Sequence, residues 1–238
     1  MIVQIYEIQD PYQAEKCLEA GVDHIGSVLP AEGPGRVESI REVSSLVERT
    51  KAKHCVIPLF SGAEEIYRAL DYYKPAFVHF CDEIAGRDGR MNDVDRFLEF
   101  QAAVREKFPE IGVIRTIPVC EPDGPELGSV ETAKKFEQLS DVILVDTWSG
   151  EPSVAGFIGI TGRTADRNIS REVVEAVGIP VIQAGGLDHE NVYETAVKVT
   201  PAGVDSCTGT NLTDGKGNRV RFEKDFEKVK AFVAEARR

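Results

Sequence analysis

Eight short runs of β-branched and apolar residues, each followed by a charged amphipathic stretch, recur from one end of the sequence to the other. The runs are Ile2–Ile8, Val22–Leu29, His54–Phe60, Ala76–Asp82, Gly112–Val119, Asp141–Thr147, Pro180–Gly185 and Gly203–Gly209. Helical spacing of apolar residues lies between them, at Pro11–Ala20, Val37–Thr50, Ala63–Tyr72, Asn92–Lys107 and Asp188–Val199. A last pattern, Arg221–Ala236, sets Phe222, Phe226, Val229, Phe232 and Val233 on one stripe. Strict βα alternation implies a parallel sheet joined by right-handed crossovers. Eight such units in 238 residues predict a single-domain α/β protein over 1–238, a (β/α)8 TIM barrel. A doubly wound sheet usually has fewer strands and is the weaker match.

Bulk properties narrow the function. Apolar residues at 42% and charged residues at 29% are ordinary for a globular chain with a sizeable core. A net charge of −12 with no basic face argues against a nucleic-acid binder. No apolar run approaches the ~18–20 residues needed to span a bilayer, so no membrane partner is expected. Met1–Asp10 has no basic region and reads as a strand, not a signal peptide. Five scattered cysteines without a C-x-x-C pair, and four histidines without ligand spacing, imply reduced thiols, a cytoplasmic setting and no metal. No cofactor is implied, and a homodimer is compatible with this reading.

In a (β/α)8 barrel the chemistry sits at the C-terminal strand ends. Asp146 closes the otherwise apolar run "VILVDT", where a carboxylate is costly unless it is hydrogen-bonded or near the open mouth. There it can act as a general acid or base, although a loop cap is the bland alternative. "GITG" (159–162), "AGGLDHENV" (184–192) and "VDSCTG" (204–209) place glycines where backbone N–H groups can approach a phosphate. Gly159, Thr161, Gly162, Gly185, Gly186, Thr208 and Gly209 are the expected grip on a small phosphorylated metabolite. Each glycine alone could equally mark a tight turn. No G-x-S-x-G elbow is present for a serine triad.

These stretches, together with "AGVDHIGSVL" (20–29), resemble phosphoribosylanthranilate isomerase over nearly the whole chain. The resemblance implies an Amadori-type aldose–ketose isomerisation of a phosphoribosyl amine in tryptophan biosynthesis. It puts Asp146 at the family's general acid and Arg36, in "GPGRVES", at its arginine for the anthranilate carboxylate. It also implies a cysteine base in a Lys-x-Cys-Gly motif ending the first strand, and there the chain departs. Gln4, Tyr6 and Glu7 stand at those positions, and His79-Phe80-Cys81-Asp82 replaces a Gln-Leu-His-Gly motif.

A neutral tyrosine, with its pKa near 10, is a poor substitute for a thiolate. Three replacements are open: Glu7 paired with Asp146, Cys81 from across the barrel, or Tyr6 assisted by a cation such as Arg115. Glu7 ranks first by chemistry, yet period-2 alternation turns Gln4 and Tyr6 inward and aims Glu7 outward. The altered base leaves two alternatives. One is an isomerase, epimerase or lyase acting on another phosphorylated metabolite. The other is a non-catalytic barrel that binds a phosphometabolite.

Overall fold

The structure, a computed structural model, describes residues 1–30, 36–150 and 153–238. Strands β1 (Ile2–Ile5), β2 (His24–Leu29), β3 (Lys53–Pro58), β4 (Phe77–Phe80), β5 (Gly112–Cys120), β6 (Val142–Trp148), β7 (Val181–Gln183) and β8 (Gly203–Ser206) are parallel and close in sequential order. β8 returns to β1 with Gln4 opposite Asp205 and Ile5 opposite Ser206. The helices are α1 (Pro11–Glu19), α2 (Glu38–Val47), α3 (Ala63–Tyr73), α4 (Asp95–Lys107), α5 (Ser129–Glu137), α6 (Arg167–Ala176), α7 (Val192–Val199) and α8 (Phe226–Ala236). This is the (β/α)8 barrel that the alternation predicted. Among the described residues no helix is long and apolar enough to cross a membrane.

The two-residue period of each strand splits its side chains between two layers. Outward residues such as Val3, Ile5, Ile25 and Val204 pack against Cys17 of α1 and Phe232 of α8. Burying each such aliphatic or aromatic side chain stabilises the fold by about 1.5–3 kcal/mol. Inward residues fill the barrel, where Tyr6, Cys55, Ile114, Leu144 and Ile182 form one apolar group. Gly26 on β2 makes room for Tyr6: a Cβ there would stand 2.2 Å from the tyrosine ring.

The chain departs from its expected course after β8. A helix was expected from Arg221, but α8 starts at Phe226, where the Asp225 carboxylate caps the N–H groups of Glu227 and Lys228. The residues before it form an antiparallel hairpin of β9 (Asn211–Thr213) and β10 (Arg219–Lys224). Asn211 and Lys224 are both buried, and the Lys224 ammonium donates to the Cys207 carbonyl and the Asn211 amide oxygen. Those tethers hold the hairpin over the barrel mouth and override the helical stripe. Phe222 thus leaves that stripe and packs beside Val28, Leu59 and Cys81.

Candidate active site

Two adjoining spaces open at the C-terminal end of the barrel. The first is an apolar chamber of ≈ 570 Å³, counting space open to solvent, walled by Val28, Ile57, Leu59 and Phe157. The second is a smaller cradle formed by Thr161, Gly162, Gly185, Gly186, Thr208 and Gly209. Asp146, Ile160, Asp205 and Cys207 line both spaces and so mark their junction.

The cradle depends on loops packed closer than side chains would allow. A Cβ on Gly186 would lie 2.8 Å from the Gly162 carbonyl oxygen, and one on Gly209 would lie 2.0 Å from that of Leu187. Gly162, Gly185 and Gly186 also have positive φ of 66°, 84° and 58°. Among the described residues, their N–H groups donate to no protein acceptor. Backbone donors gathered in this way suit an anion. Gly159 belongs to the chamber instead, where its missing Cβ leaves room for Asp146 Oδ2. Ile160, beside it, sits at φ 61°, a strained conformation for a β-branched residue.

Asp146 points inward from β6, and its Oδ1 accepts the N–H of Thr147 at 2.7 Å. Burial pushes its pKa up to about 6, against the opposing pull of that hydrogen bond. A carboxyl group at that pKa can give or take a proton near neutrality. Asp205 points inward from β8, and the Gln4 amide donates to its Oδ1 at 3.1 Å. Burial, opposed by the Gln4 hydrogen bond and reinforced by the charge of Asp146, lifts its pKa to about 8.

The expected bases are placed otherwise. Glu7 borders the chamber but is fully buried, with φ 66° where the chain leaves β1. Its carboxylate is taken up by the Asn211 amide at 2.7 Å, the Arg221 guanidinium and the Phe222 N–H at 3.2 Å. Burial alone would raise its pKa; Asn211, Lys224, Arg221 and the Phe222 N–H outweigh that and hold it low. Glu7 therefore anchors the hairpin, which corrects its expected role as base. Cys81 lines the chamber, but burial first and then the charges of Asp82 and Asp146 push its thiol up, so it keeps its proton.

Tyr6 faces the chamber, and burial, ahead of the nearby acidic groups, drives its phenol well above its ordinary pKa. Its hydroxyl lies 2.8 Å from His79 Nδ1, and His79 Nε2 lies 2.6 Å from Thr116 Oγ1. Arg115 is not beside Tyr6, a second correction. It points outward from β5, where it donates to Gln101 and Asp82 and packs against the rings of Phe80 and Phe136. Arg36 is exposed, with its guanidinium 4.8 Å from the Tyr72 ring centre and outside the chamber lining.

No protein-family model matches the chain. Among curated relatives, N-(5′-phosphoribosyl)anthranilate isomerase from Methanocella arvoryzae is 34% identical over 239 residues, covering 99% of this chain and 97% of the relative. The chain belongs to the N-(5′-phosphoribosyl)anthranilate isomerase family. The isomerase from Methanosarcina acetivorans is 28% identical over 98% of this chain and 94% of its own length. Among solved structures, the Thermotoga maritima isomerase superposes with a TM-score of 0.72 at 21% identity, covering 100% of this chain and 99% of the other. A phosphoribosyl anthranilate isomerase holding reduced 1-(o-carboxyphenylamino)-1-deoxyribulose 5-phosphate gives 0.71 at 19% identity, with 100% and 99% covered. Both share the barrel.

The chain sets Asp146 of β6 beside the glycine cradle, with Tyr6 facing the chamber just beyond β1. Asp205 escaped the sequence reading, although the alternation that turns Cys207 inward gives Asp205 the same parity. Phe222 was misplaced because its spacing fits the stripe of α8.

Proposed function

We propose that this protein is an aldose–ketose isomerase that carries out the Amadori rearrangement of N-(5′-phosphoribosyl)anthranilate or a closely similar phosphoribosyl amine. The observation that carries this reading is Asp146, set at the seam between a glycine-lined cradle and an apolar chamber. With the phosphate among Gly162, Gly186 and Gly209, the sugar lies beside Asp146 and the aryl group against Phe157, Leu59 and Ile57. Asp146, at a pKa of about 6, donates its proton to the furanose ring oxygen. The C1′–O bond breaks onto that oxygen while the nitrogen lone pair forms C1′=N, which gives the ring-opened Schiff base.

Thr161 and Thr208 supply side-chain hydroxyls around the phosphate. A cytoplasmic homodimer belongs to this reading, since a dimeric isomerase is among the structural neighbours. Sedimentation of the purified chain tests the assembly. The activity is tested by following loss of the fluorescent aminoaldose substrate. Turnover supports the assignment, and none at high enzyme concentration overturns it.

Arg36 favours a second reading. Its place over Tyr72, away from the chamber, fits a phosphoribosyl amine whose substituent lacks the carboxylate. Thermal-shift profiles with carboxylated and uncharged aryl aminoaldose phosphates separate the two: stabilisation by the carboxylated form alone removes the second reading.

A further inference from the structure

The chamber holds several groups with exchangeable protons, but few are free to act as a base. Tyr6, Cys81 and Cys207 are each held protonated by burial, and the Glu7 carboxylate is occupied by three donors. His79 has both ring nitrogens engaged, by Tyr6 and Thr116. Asp205 differs. Its Oδ1 takes one hydrogen bond from a neutral amide, and among the described residues no donor reaches Oδ2. It stands on β8, the strand paired with β1, where Gln4 and Asp205 are opposite each other. It lines the same two spaces as Asp146, which reaches them from β6.

We propose that Asp205 is the catalytic base that takes the C2′ proton of the ring-opened substrate, working as a pair with Asp146. This rests on the isomerase reading above. The Asp205 carboxylate removes the C2′ proton, and the C–H electron pair becomes the C1′=C2′ bond. The C1′=N π electrons then return to nitrogen, giving a neutral enolamine. Asp205 next delivers its proton to C1′ while the C2′ hydroxyl gives its own to the Asp146 carboxylate. The product is the ketose amine, and both side chains end as they began. No oxidant or cofactor enters the balance.

One cycle needs a single proton on the pair at the start and at the end. With Asp146 pushed to about 6 and Asp205 to about 8, the pair holds one proton between those values. The furanose ring oxygen is only an acceptor, so bound substrate draws that proton onto Asp146. The groups facing Asp205 include Gln4 of β1 and Tyr6 just beyond it, Cys55 of β3, Asp146 of β6, and the buried Lys224 of β10, whose charge opposes the rise.

Asp205→Asn keeps the acceptor for Gln4 and removes the base. It is expected to lower kcat by about 10²- to 10⁴-fold, with inorganic phosphate still bound as by the wild type. Added formate is expected to restore part of the turnover of Asp205→Ala, which a structural role would not allow. An Asp205→Asn protein within about fivefold of wild-type kcat overturns the inference, as does a folded Asp205→Ala that formate leaves unchanged. If neither variant folds, the wild type decides. Its kcat/KM against pH is expected to be a bell with limbs near 6 and 8, and a profile without the upper limb overturns the assignment. A wild type that does not turn over the aminoaldose at all overturns the isomerase reading, and this inference with it. An active wild type beside an active Asp205→Asn removes Asp205 alone.

Discussion

Tyr6 Oη and His79 Nδ1 stand 2.8 Å apart inside the barrel, where both side chains line the chamber. Burial holds His79 neutral by lowering its pKa to about 3, with the charge of Arg115 acting in the same sense. A neutral imidazole offers one donor and one acceptor, so Tyr6 and Thr116 between them satisfy both nitrogens. Such a closed chain orders the chamber wall and leaves no group free to accept a substrate proton.

Tyr6→Phe follows directly from that geometry. It leaves one buried His79 nitrogen without a partner, which costs about 1–3 kcal/mol of stability. Turnover is expected to stay within about fivefold of wild type, because no proton-transfer group is lost. Denaturant melts and steady-state rates check both halves. A loss of about a hundredfold or more in kcat from the folded variant would make Tyr6 a catalytic group after all.

Asp146→Asn keeps size and hydrogen bonding but cannot donate the proton for ring opening. The expected loss in kcat is about 10²- to 10⁴-fold with KM little changed. Phosphate affinity, measured by titration calorimetry, should be retained, because Asp146 only borders the cradle. A variant that keeps wild-type kcat would place the acid elsewhere.

The barrel was legible because βα periodicity recurs along the whole chain and each strand's alternation is repeated by its neighbours. Asp146 and the glycine loops were legible for a related reason, since both lie at strand ends whose chemistry conflicts with burial. Glu7 was not, because its partners Asn211 and Arg221 lie on a hairpin about 200 residues away in sequence. Local periodicity carries no trace of such a pairing. Arg115 shows the same limit from the other side. A cation in an apolar strand reads as functional until Gln101 and Asp82, on α4 and just beyond β4, are seen to receive it.

Glycines in the cradle serve close approach of loops as well as bare N–H groups, and the two roles predict different damage. Gly209→Ala puts a Cβ 2.0 Å from the Leu187 carbonyl oxygen, so the loops after β7 and β8 must separate. Weaker phosphate affinity is expected together with a loss of stability of about 1–3 kcal/mol from overpacking. Gly162→Ala meets nothing within 4 Å, and only its positive φ resists it. It should cost about 1 kcal/mol and leave the loops together. Phosphate titrations on the two variants check this; equal loss of affinity would assign the grip to backbone conformation and not to packing.

Asp205 ties stability to pH in the direction opposite to that of an ion-paired carboxylate. In the folded chain its pKa rises to about 8 through burial, while in the unfolded chain it returns to about 3.9. Between those values the folded state holds a proton that the unfolded state has released. The stability contributed by the neutral acid is therefore lost as pH climbs from about 4 to about 8, at up to about 1.4 kcal/mol per unit. Asp205→Asn removes this dependence. It should match the wild type near pH 4, exceed it by several kcal/mol at pH 8, and gain nothing further above that. Urea melts at pH 5, 7 and 9 measure the difference, and a constant offset at all three would mean that Asp205 titrates as an ordinary surface acid. A more stable but inactive variant is the expected signature of a carboxylate kept for its reactivity at the expense of the fold.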